Sequence, residues 1–112
     1  MAKLLKDRTR ARLEKALLYI DAHLSQNLSA MDLAEHAHLS PFHFQRLFSA
    51  YLGEPTNKYI LNRRLERAAK TLSQNEDTNI LELALDVGFE THSAFSKAFK
   101  QHFDITPSDF RA

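Results

Sequence analysis

Residues 40–48, SPFHFQRLF, combine three phenylalanines with a glutamine and an arginine. On a helix, Phe42, Gln45 and Arg46 recur at i, i+3 and i+4 and therefore share one side. An arginine can bond guanine through two hydrogen bonds, a glutamine can bond adenine in the same way, and an aromatic ring can cover the methyl group of thymine. These residue types at this spacing indicate a surface that can contact base edges.

Simpler interpretations of the same three residues stay open at this point. Phe42 would be a core residue that packs against an N-terminal helix, because large aromatic side chains are usually buried. Gln45 and Arg46 would be ordinary solvated surface, because most polar side chains are exposed. The sequence pattern alone does not separate these interpretations from base contact.

A second group of polar side chains lies in the other half of the chain, again at helical spacing. Its members are His92, Ser93, Ser96 and Lys97. Hydroxyl, imidazole and ammonium groups can bond several bases or a phosphate, so their chemistry is less specific than that of glutamine and arginine. Plain surface or phosphate contact alone is the alternative for this group.

Local signals place the first group on a helix rather than on a strand. Ser40 is a favoured N-cap residue, and Pro41 is favoured at the first helical position. On such a helix Phe44, Phe48 and Tyr51 fall together on the side opposite the polar group. That side is expected to hold the core residues, with Phe44 and Phe48 at its centre.

The rest of the chain also shows apolar residues at helical spacing, with capping residues between the runs. A first helix is expected over about residues 7–24. The pattern predicts an all-α fold of about seven helices, with two helix-turn-helix subdomains joined by a connecting helix. The expected divisions are 1–54 for the N-terminal helix and first helix-turn-helix, 55–73 for the connecting helix, and 74–112 for the second helix-turn-helix and a C-terminal turn of helix.

An internal repeat supports two copies of the same supersecondary unit. Leu33-Ala34 corresponds to Leu83-Ala84 at a shift of 50 (83 minus 33), whereas the later aromatic pairs correspond at a shift of 51 (95 minus 44). Those pairs are Phe44 with Phe95, Phe48 with Phe99, and Tyr59 with Phe110. One residue is therefore inserted in the turn of the second copy.

Charge is segregated along the chain although the formal net charge is only +1. Residues 1–15 and residues 46–70 each hold six basic and two acidic side chains, which gives +4 for each segment. Residues 16–45 contain no Lys or Arg. Such segregation is typical of a protein that binds a polyanion on one side, and simple scattering of charge over helices is the alternative.

Composition excludes several other classes of protein. The chain has no cysteine, which removes disulfides, thiol chemistry and cysteine metal sites and suits the cytoplasm. It has no apolar run long enough for a membrane span and no apolar segment typical of a signal peptide. His36 and His38 are joined by no carboxylate cluster, so neither a metal nor another cofactor is expected, and no catalytic nucleophile with a base is evident.

The motifs together resemble the DNA-binding domain of the AraC/XylS family of bacterial transcription regulators. The resemblance spans about residues 9–111 and is clearest in residues 80–111, ILELALDVGFETHSAFSKAFKQHFDITPSDFR. It implies a sequence-specific regulator of transcription, here expected to be an activator, that places two recognition helices in successive major-groove segments of double-stranded DNA. The chain departs from the family at Asp104, where glycine is frequent.

The resemblance also implies roles for individual residues. The base-reading residues would be Phe42, Gln45, Arg46, His92, Ser93, Ser96 and Lys97. The phosphate-binding residues would be Ser40, Thr91, Lys100 and Arg63. RNA polymerase is an expected partner, and an effector-binding domain would follow residue 112 in a longer regulator. The alternative function is a helical protein-interaction module that has lost DNA binding.

Overall fold

The computed structural model describes residues 2–111, with side chains from Arg8 onward, and the described residues form seven helices and no strand. The helices are α1 (Ala2–Ala22), α2 (Ala30–His36), α3 (Pro41–Leu52), α4 (Thr56–Gln74), α5 (Ile80–Asp86), α6 (His92–Phe103) and α7 (Pro107–Arg111). The predicted all-α fold with two helix-turn-helix pairs, α2–α3 and α5–α6, is confirmed. The helix α1 starts five residues earlier than expected (7 minus 2), and it ends two residues earlier (24 minus 22).

The chain divides into two compact units, and the division falls inside α4. The first unit comprises the chain up to His23 together with Leu28–Ile60, and the second comprises Leu24–Asn27 together with the chain from Leu61 onward. The helix α4 thus gives its first turn to one unit and its remaining turns to the other. The connecting helix therefore contributes residues to both units.

Side-chain caps begin α2 and α3 of the first unit, and the cap at Ser40 is the one that the sequence predicts. The hydroxyl of Ser29 accepts a hydrogen bond from the backbone N–H of Asp32 at the start of α2 (3.1 Å). The hydroxyl of Ser40 accepts one from the N–H of His43 at the start of α3 (3.2 Å), and Pro41 occupies the first position of that helix. These bonds satisfy N–H groups that have no partner within the helix.

Equivalent caps begin the helices of the second unit. The side-chain oxygen of Asn79 accepts from the N–H of Glu82 at the start of α5 (2.9 Å). The hydroxyl of Thr91 accepts from the N–H of Ala94 at the start of α6 (3.0 Å). The capping residues differ in type between the two units, but each supplies the same kind of acceptor.

The aromatic cores of the two units have nearly the same geometry. Phe48 meets Tyr59 edge to face with ring centroids 5.4 Å apart and an interplanar angle of 76°. Phe99 meets Phe110 in the same way, at 5.5 Å and 73°. Around the second pair, the buried residues are Leu65, Ala68, Leu72, Leu83, Ala84, Val87 and Phe95. Edge-to-face packing is favoured because the positive edge of one ring meets the negative face of the other.

The turns of the two units locate the inserted residue. In the first turn the N–H of Leu39 donates to the carbonyl of Ala34 (2.9 Å), and in the second the N–H of Phe89 donates to the carbonyl of Ala84 (2.9 Å). Both positions still correspond at a shift of 50. The N-caps that follow correspond at 51, so Glu90 is the extra residue, and it lengthens the connection just before α6.

Each turn also contains one residue in the left-handed region of backbone conformation. That residue is His38 in the first turn, at φ 57°, and Gly88 in the second, at φ 105°. The left-handed region is unfavourable for residues with a Cβ atom, although histidine enters it more readily than most. The two units therefore build one turn with different residue types.

Gly88 is required for a second reason, because the chain passes very close to it. A Cβ atom at this position would lie 2.2 Å from the carbonyl oxygen of Leu24 and 2.6 Å from Nε of Arg64. Arg64 itself donates from Nε to the carbonyl of Leu24 (3.0 Å) and from Nη2 to the carbonyl of Gln26 (2.8 Å). These bonds join the segment after α1 to α4 within the second unit.

The structure adds detail at Tyr51, at the start of α4 and at Asp104. Tyr51 is 49% exposed although it follows Phe48 on the core side, because it lies in the last turn of α3 at the edge of a shallow groove. In α4 the sequence allows either Ile60 or Leu61 at the core position, and the structure buries Ile60, which is 6% exposed, while Leu61 is 38% exposed. Asp104 adopts φ 61° and ends α6 as Gly53 ends α3, so the departure from glycine does not change the type of cap.

Candidate nucleic-acid interface

The outward side of α3 carries the first group of candidate residues, and it is defined here as the first reading face: Phe42, His43, Gln45, Arg46 and Ser49. The side chain of Phe42 is 73% exposed, whereas Phe44 and Phe48 are fully buried. The interpretation of Phe42 as a core residue is therefore wrong. An exposed phenylalanine beside polar residues offers an apolar contact to a partner.

A cation–π contact joins two members of the first reading face. The guanidinium carbon of Arg46 lies over the ring of Phe42, 5.8 Å from its centroid. One turn of helix separates the two residues, so their side chains meet naturally at this spacing. The contact restricts both side chains and keeps the positive charge of Arg46 next to the exposed ring.

Gln45 also has a partner, which the sequence analysis did not identify. Its carbonyl oxygen Oε1 accepts a hydrogen bond from the hydroxyl of Thr56 (3.1 Å). Thr56 is 2% exposed and begins α4, eleven residues further along the chain. No spacing rule predicts this pair, because the two residues lie on different helices of the first unit.

The outward side of α6 carries the second group and is defined as the second reading face: His92, Ser93, Ser96, Lys97 and Lys100. All are exposed except Ser96, which is half-buried. Within the part of the chain that the structure describes, His92, Ser93, Ser96 and Lys97 make no side-chain hydrogen bond, ion pair or ring contact. This face is polar and basic but not held in one arrangement.

The four predicted phosphate-binding residues lie in different settings. Ser40 and Thr91 use their oxygens to cap α3 and α6, and each hydroxyl keeps a proton that it can donate to an anion. Lys100 is exposed in the last turn of α6. Arg63 forms an ion pair with Glu66 (Nη1 to Oε2, 2.9 Å), which partly neutralises its charge.

Arg64 contributes to the charge of residues 46–70 but has a structural role. Two of its nitrogen atoms donate to backbone carbonyl groups. Burial lowers the pKa of Arg64 from the ordinary arginine value, because desolvation disfavours the charged form. The basic segment therefore offers fewer available cations than its sequence indicates.

Among residues 8–111, no group of three or more His, Asp or Glu side chains is arranged to hold a metal ion. No helix in the described part of the chain combines the length and apolar character that a membrane span requires.

Comparisons with known proteins bear on this arrangement. A family model described as "Helix-turn-helix domain" matches residues 33–112. The regulatory protein PocR of Salmonella typhimurium is 40% identical over 101 residues, which are 90% of this chain and 33% of PocR. The HTH-type transcriptional activator AarP of Providencia stuartii is 34% identical over 99 residues, which are 88% of this chain and 73% of AarP.

A solved structure is also similar to almost the whole chain. A transcriptional regulator from Chromobacterium violaceum, described as containing an AraC-type DNA-binding domain, superposes with a TM-score of 0.84 at 34% identity. The match covers 91% of this chain and 90% of that chain. Two helix-turn-helix pairs, each with a second helix that buries its aromatic side and exposes a polar side, are the fold of a helix-turn-helix regulator. The chain belongs to the AraC-type family of such regulators, and it spans about a third of the length of PocR.

Proposed function

We propose that this chain regulates transcription by binding double-stranded DNA in a sequence-specific manner. In the proposed mode, α3 and α6 enter successive segments of the major groove. One observation carries the proposal: each unit buries the aromatic side of its second helix and exposes a polar side that starts at a capped N-terminus. The buried side holds the helix in place, and the exposed side is available to base edges.

The first reading face has the more specific chemistry. Arg46 would donate two hydrogen bonds to guanine, and Gln45 would contact the neighbouring base pair. Phe42 would cover a thymine methyl group while its ring supports Arg46. The exposure of Phe42 and its contact with Arg46 support these roles.

The second reading face would make fewer directional contacts with bases. His92, Ser93, Ser96 and Lys97 would read the second segment of the groove through single hydrogen bonds. Ser40, Thr91, Lys100 and Arg63 would contact phosphates, the first two beside the positive ends of α3 and α6. The positions of Ser40 and Thr91 at helix N-termini support this division of roles, and Lys100 is an exposed cation. The ion pair of Arg63 with Glu66 makes Arg63 the weakest candidate.

Selection of bound duplexes from a random DNA pool at physiological salt tests the proposal. We expect enrichment of two sequence blocks whose centres lie about 10 base pairs apart, because one chain would span about one turn of DNA. The blocks need not be palindromic, since the two reading faces differ. Absence of enrichment together with DNA affinity that does not depend on salt would indicate a protein-interaction module instead.

The phosphate contacts have their own signature. Lys100→Ala should weaken binding to all sequences to a similar degree and should reduce the slope of log K against log salt by about 1. Lys97→Ala serves as the matched change, because it should alter preference within one block. A change of preference in Lys100→Ala would move that lysine from the phosphate contacts to the base contacts.

Activation through contact with RNA polymerase is the proposed consequence of binding, in the cytoplasm where bacterial promoters lie. The name of AarP, a transcriptional activator, supports this choice over repression. Transcription in vitro with purified RNA polymerase should rise when the selected site lies upstream of a weak promoter, and a fall would indicate repression. An effector-binding domain after residue 112 stays a prediction of the resemblance, which the length of the gene product would test.

A further inference from the structure

We infer that Thr56 is a positioning residue that makes Gln45 present hydrogen-bond donors to DNA, so that Gln45 selects guanine rather than adenine. The inference rests on the proposed function, in which Gln45 contacts a base. Three features of the first unit carry it: the burial of Thr56, the bond between the two side chains, and the exposure of Gln45.

The burial of Thr56 makes its hydrogen bond obligatory. Thr56 is the buried polar residue of the described chain, at 2% exposure, and its hydroxyl donates to Oε1 of Gln45 (3.1 Å). Among the described residues, no buried side-chain oxygen or nitrogen lacks a partner. If the amide were flipped, its NH2 group would donate to the hydroxyl oxygen, and the hydroxyl proton of Thr56 would then have no acceptor among the described residues. A buried donor without an acceptor costs free energy, so the orientation with the amide oxygen towards Thr56 is favoured.

This bond determines which atoms of Gln45 face outward. A glutamine amide is planar, with its oxygen and its NH2 group on opposite sides of the terminal carbon. Because Thr56 engages the oxygen, the NH2 group with its two donors lies on the side away from Thr56. Gln45 is otherwise exposed, so those donors face the surface that would meet DNA.

The choice of base follows from this orientation. Paired bonding of glutamine to adenine needs the amide oxygen to accept from N6 and the NH2 group to donate to N7. With its oxygen turned inward, Gln45 offers only donors. Guanine presents two acceptors, O6 and N7, in the major groove, whereas adenine presents one acceptor beside a donor. The oriented amide therefore favours guanine.

The second unit lacks this arrangement and provides an internal control. At the shift of 51, Ser96 corresponds to Gln45 and Pro107 corresponds to Thr56. Proline has no hydroxyl, and serine has no amide to orient. A substitution at Thr56 should therefore change preference in the block contacted by α3 and leave the other block unchanged.

Selection and competition binding with four variants test the inference. Gln45→Ala identifies the base pair, where it should abolish preference. The unmodified chain should favour guanine over adenine there by about tenfold, within the range of a good base contact. Thr56→Val, which keeps the shape and removes the hydroxyl, should release the amide and cut this ratio at least several-fold towards adenine. Thr56→Ser should restore the guanine preference.

The fourth variant replaces the outward donors of residue 45 with an acceptor and keeps the hydrogen bond from Thr56. Gln45→Glu still accepts from Thr56 but presents an acceptor outward, so its preference should move to cytosine or adenine, which carry major-groove donors. The side-chain NH2 resonances of Gln45 provide a readout without DNA: Thr56→Val should shift them, and Thr56→Ser should leave them near their original position. Circular dichroism confirms that each variant is folded.

The outcomes separate the inference from the proposed function. Enriched DNA blocks with the same preference in Thr56→Val as in the unmodified chain would overturn the inference alone. A preference of the unmodified chain for adenine or cytosine at the Gln45 position would also overturn it, because the amide oxygen would then face outward. If the unmodified chain enriches no sequence at all, the proposed function fails, and the inference fails with it.

Discussion

The two reading faces occupy equivalent helices, yet they are prepared for binding to different degrees. On the first face, Arg46 rests on Phe42 and Gln45 is bonded to Thr56. Fifty-one residues later, Ser93 and Lys97 replace Phe42 and Arg46 (42 plus 51, 46 plus 51), and neither has a side-chain partner within the described chain. The first face loses less side-chain freedom on binding, so we expect it to supply most of the specificity.

Unlike the reading faces, the aromatic cores of the two units are nearly the same in geometry. The edge-to-face pairs Phe48–Tyr59 and Phe99–Phe110 differ by 0.1 Å in centroid separation (5.5 minus 5.4). A buried ring must fill its cavity at crystal-like density, which leaves little tolerance for change. An exposed face has no such constraint. The fold thus keeps its two cores alike while the two binding surfaces diverge.

The largest effect should come from the core itself. Phe99→Ala should destabilise the second unit by roughly 3–5 kcal/mol, because it leaves a cavity beside three other rings, and Phe95→Ala should act similarly. Urea unfolding followed by circular dichroism measures the loss. Phe42→Ala, which removes an exposed ring of the same size, should change stability little and weaken DNA binding. A folded Phe99→Ala protein of unchanged stability would contradict the assignment of the repeated core.

Alanine substitutions at Gly88 and Gly53 separate the cost of a steric clash from the cost of a positive φ angle. Gly88→Ala should cost more than about 2 kcal/mol, because left-handed strain alone costs roughly 1–2 kcal/mol and the new Cβ would collide with the carbonyl of Leu24. Gly53→Ala has positive φ but no atom within 4 Å of the added Cβ, so only the strain should remain. Thermal unfolding compares the two variants. Equal losses would show that the approach of Leu24 does not matter.

Substitutions on the two reading faces should change sequence preference in different blocks of the DNA site and to different degrees. Arg46→Ala should cost about 1–3 kcal/mol at the preferred site and relax preference at one base pair of one block. Lys97→Ala should cost less and act in the other block. Fluorescence anisotropy with matched and substituted duplexes measures both changes. A uniform loss across all sequences would identify Arg46 as a phosphate contact.

The smallest expected effect concerns the non-glycine residues at positive φ. His38→Gly should stabilise the first unit by about 0.5–1 kcal/mol, since relief of left-handed strain exceeds the entropy that glycine adds to the unfolded chain. Asp104→Gly tests the same balance in the second unit. Stabilisation in one unit alone would show that the strain is compensated differently in the two turns.

Residue patterns predicted the helix starts and the repeated unit of this protein. Ser40 with Pro41 predicted the start of α3, and the aromatic shift of 51 predicted two equivalent units. These signals are local or periodic, and capping and amphipathic spacing act over one or two turns of helix. The inserted residue could be identified as Glu90 only from the backbone hydrogen bonds of the two turns. Apolar spacing shows that a residue is inserted but not where the turn lengthens.

The sequence by itself determined the helices, their caps, the repeat and the residue types of both reading faces, because each depends on neighbours within a few positions. The tertiary structure decided which of those residues have partners. Thr56 meets Gln45 across eleven residues, and Arg64 bonds to carbonyl groups 40 and 38 residues before it. Contacts at such separations depend on how helices pack rather than on spacing along the chain, so only the folded molecule distinguishes an oriented amide from a mobile one and a structural arginine from an available cation.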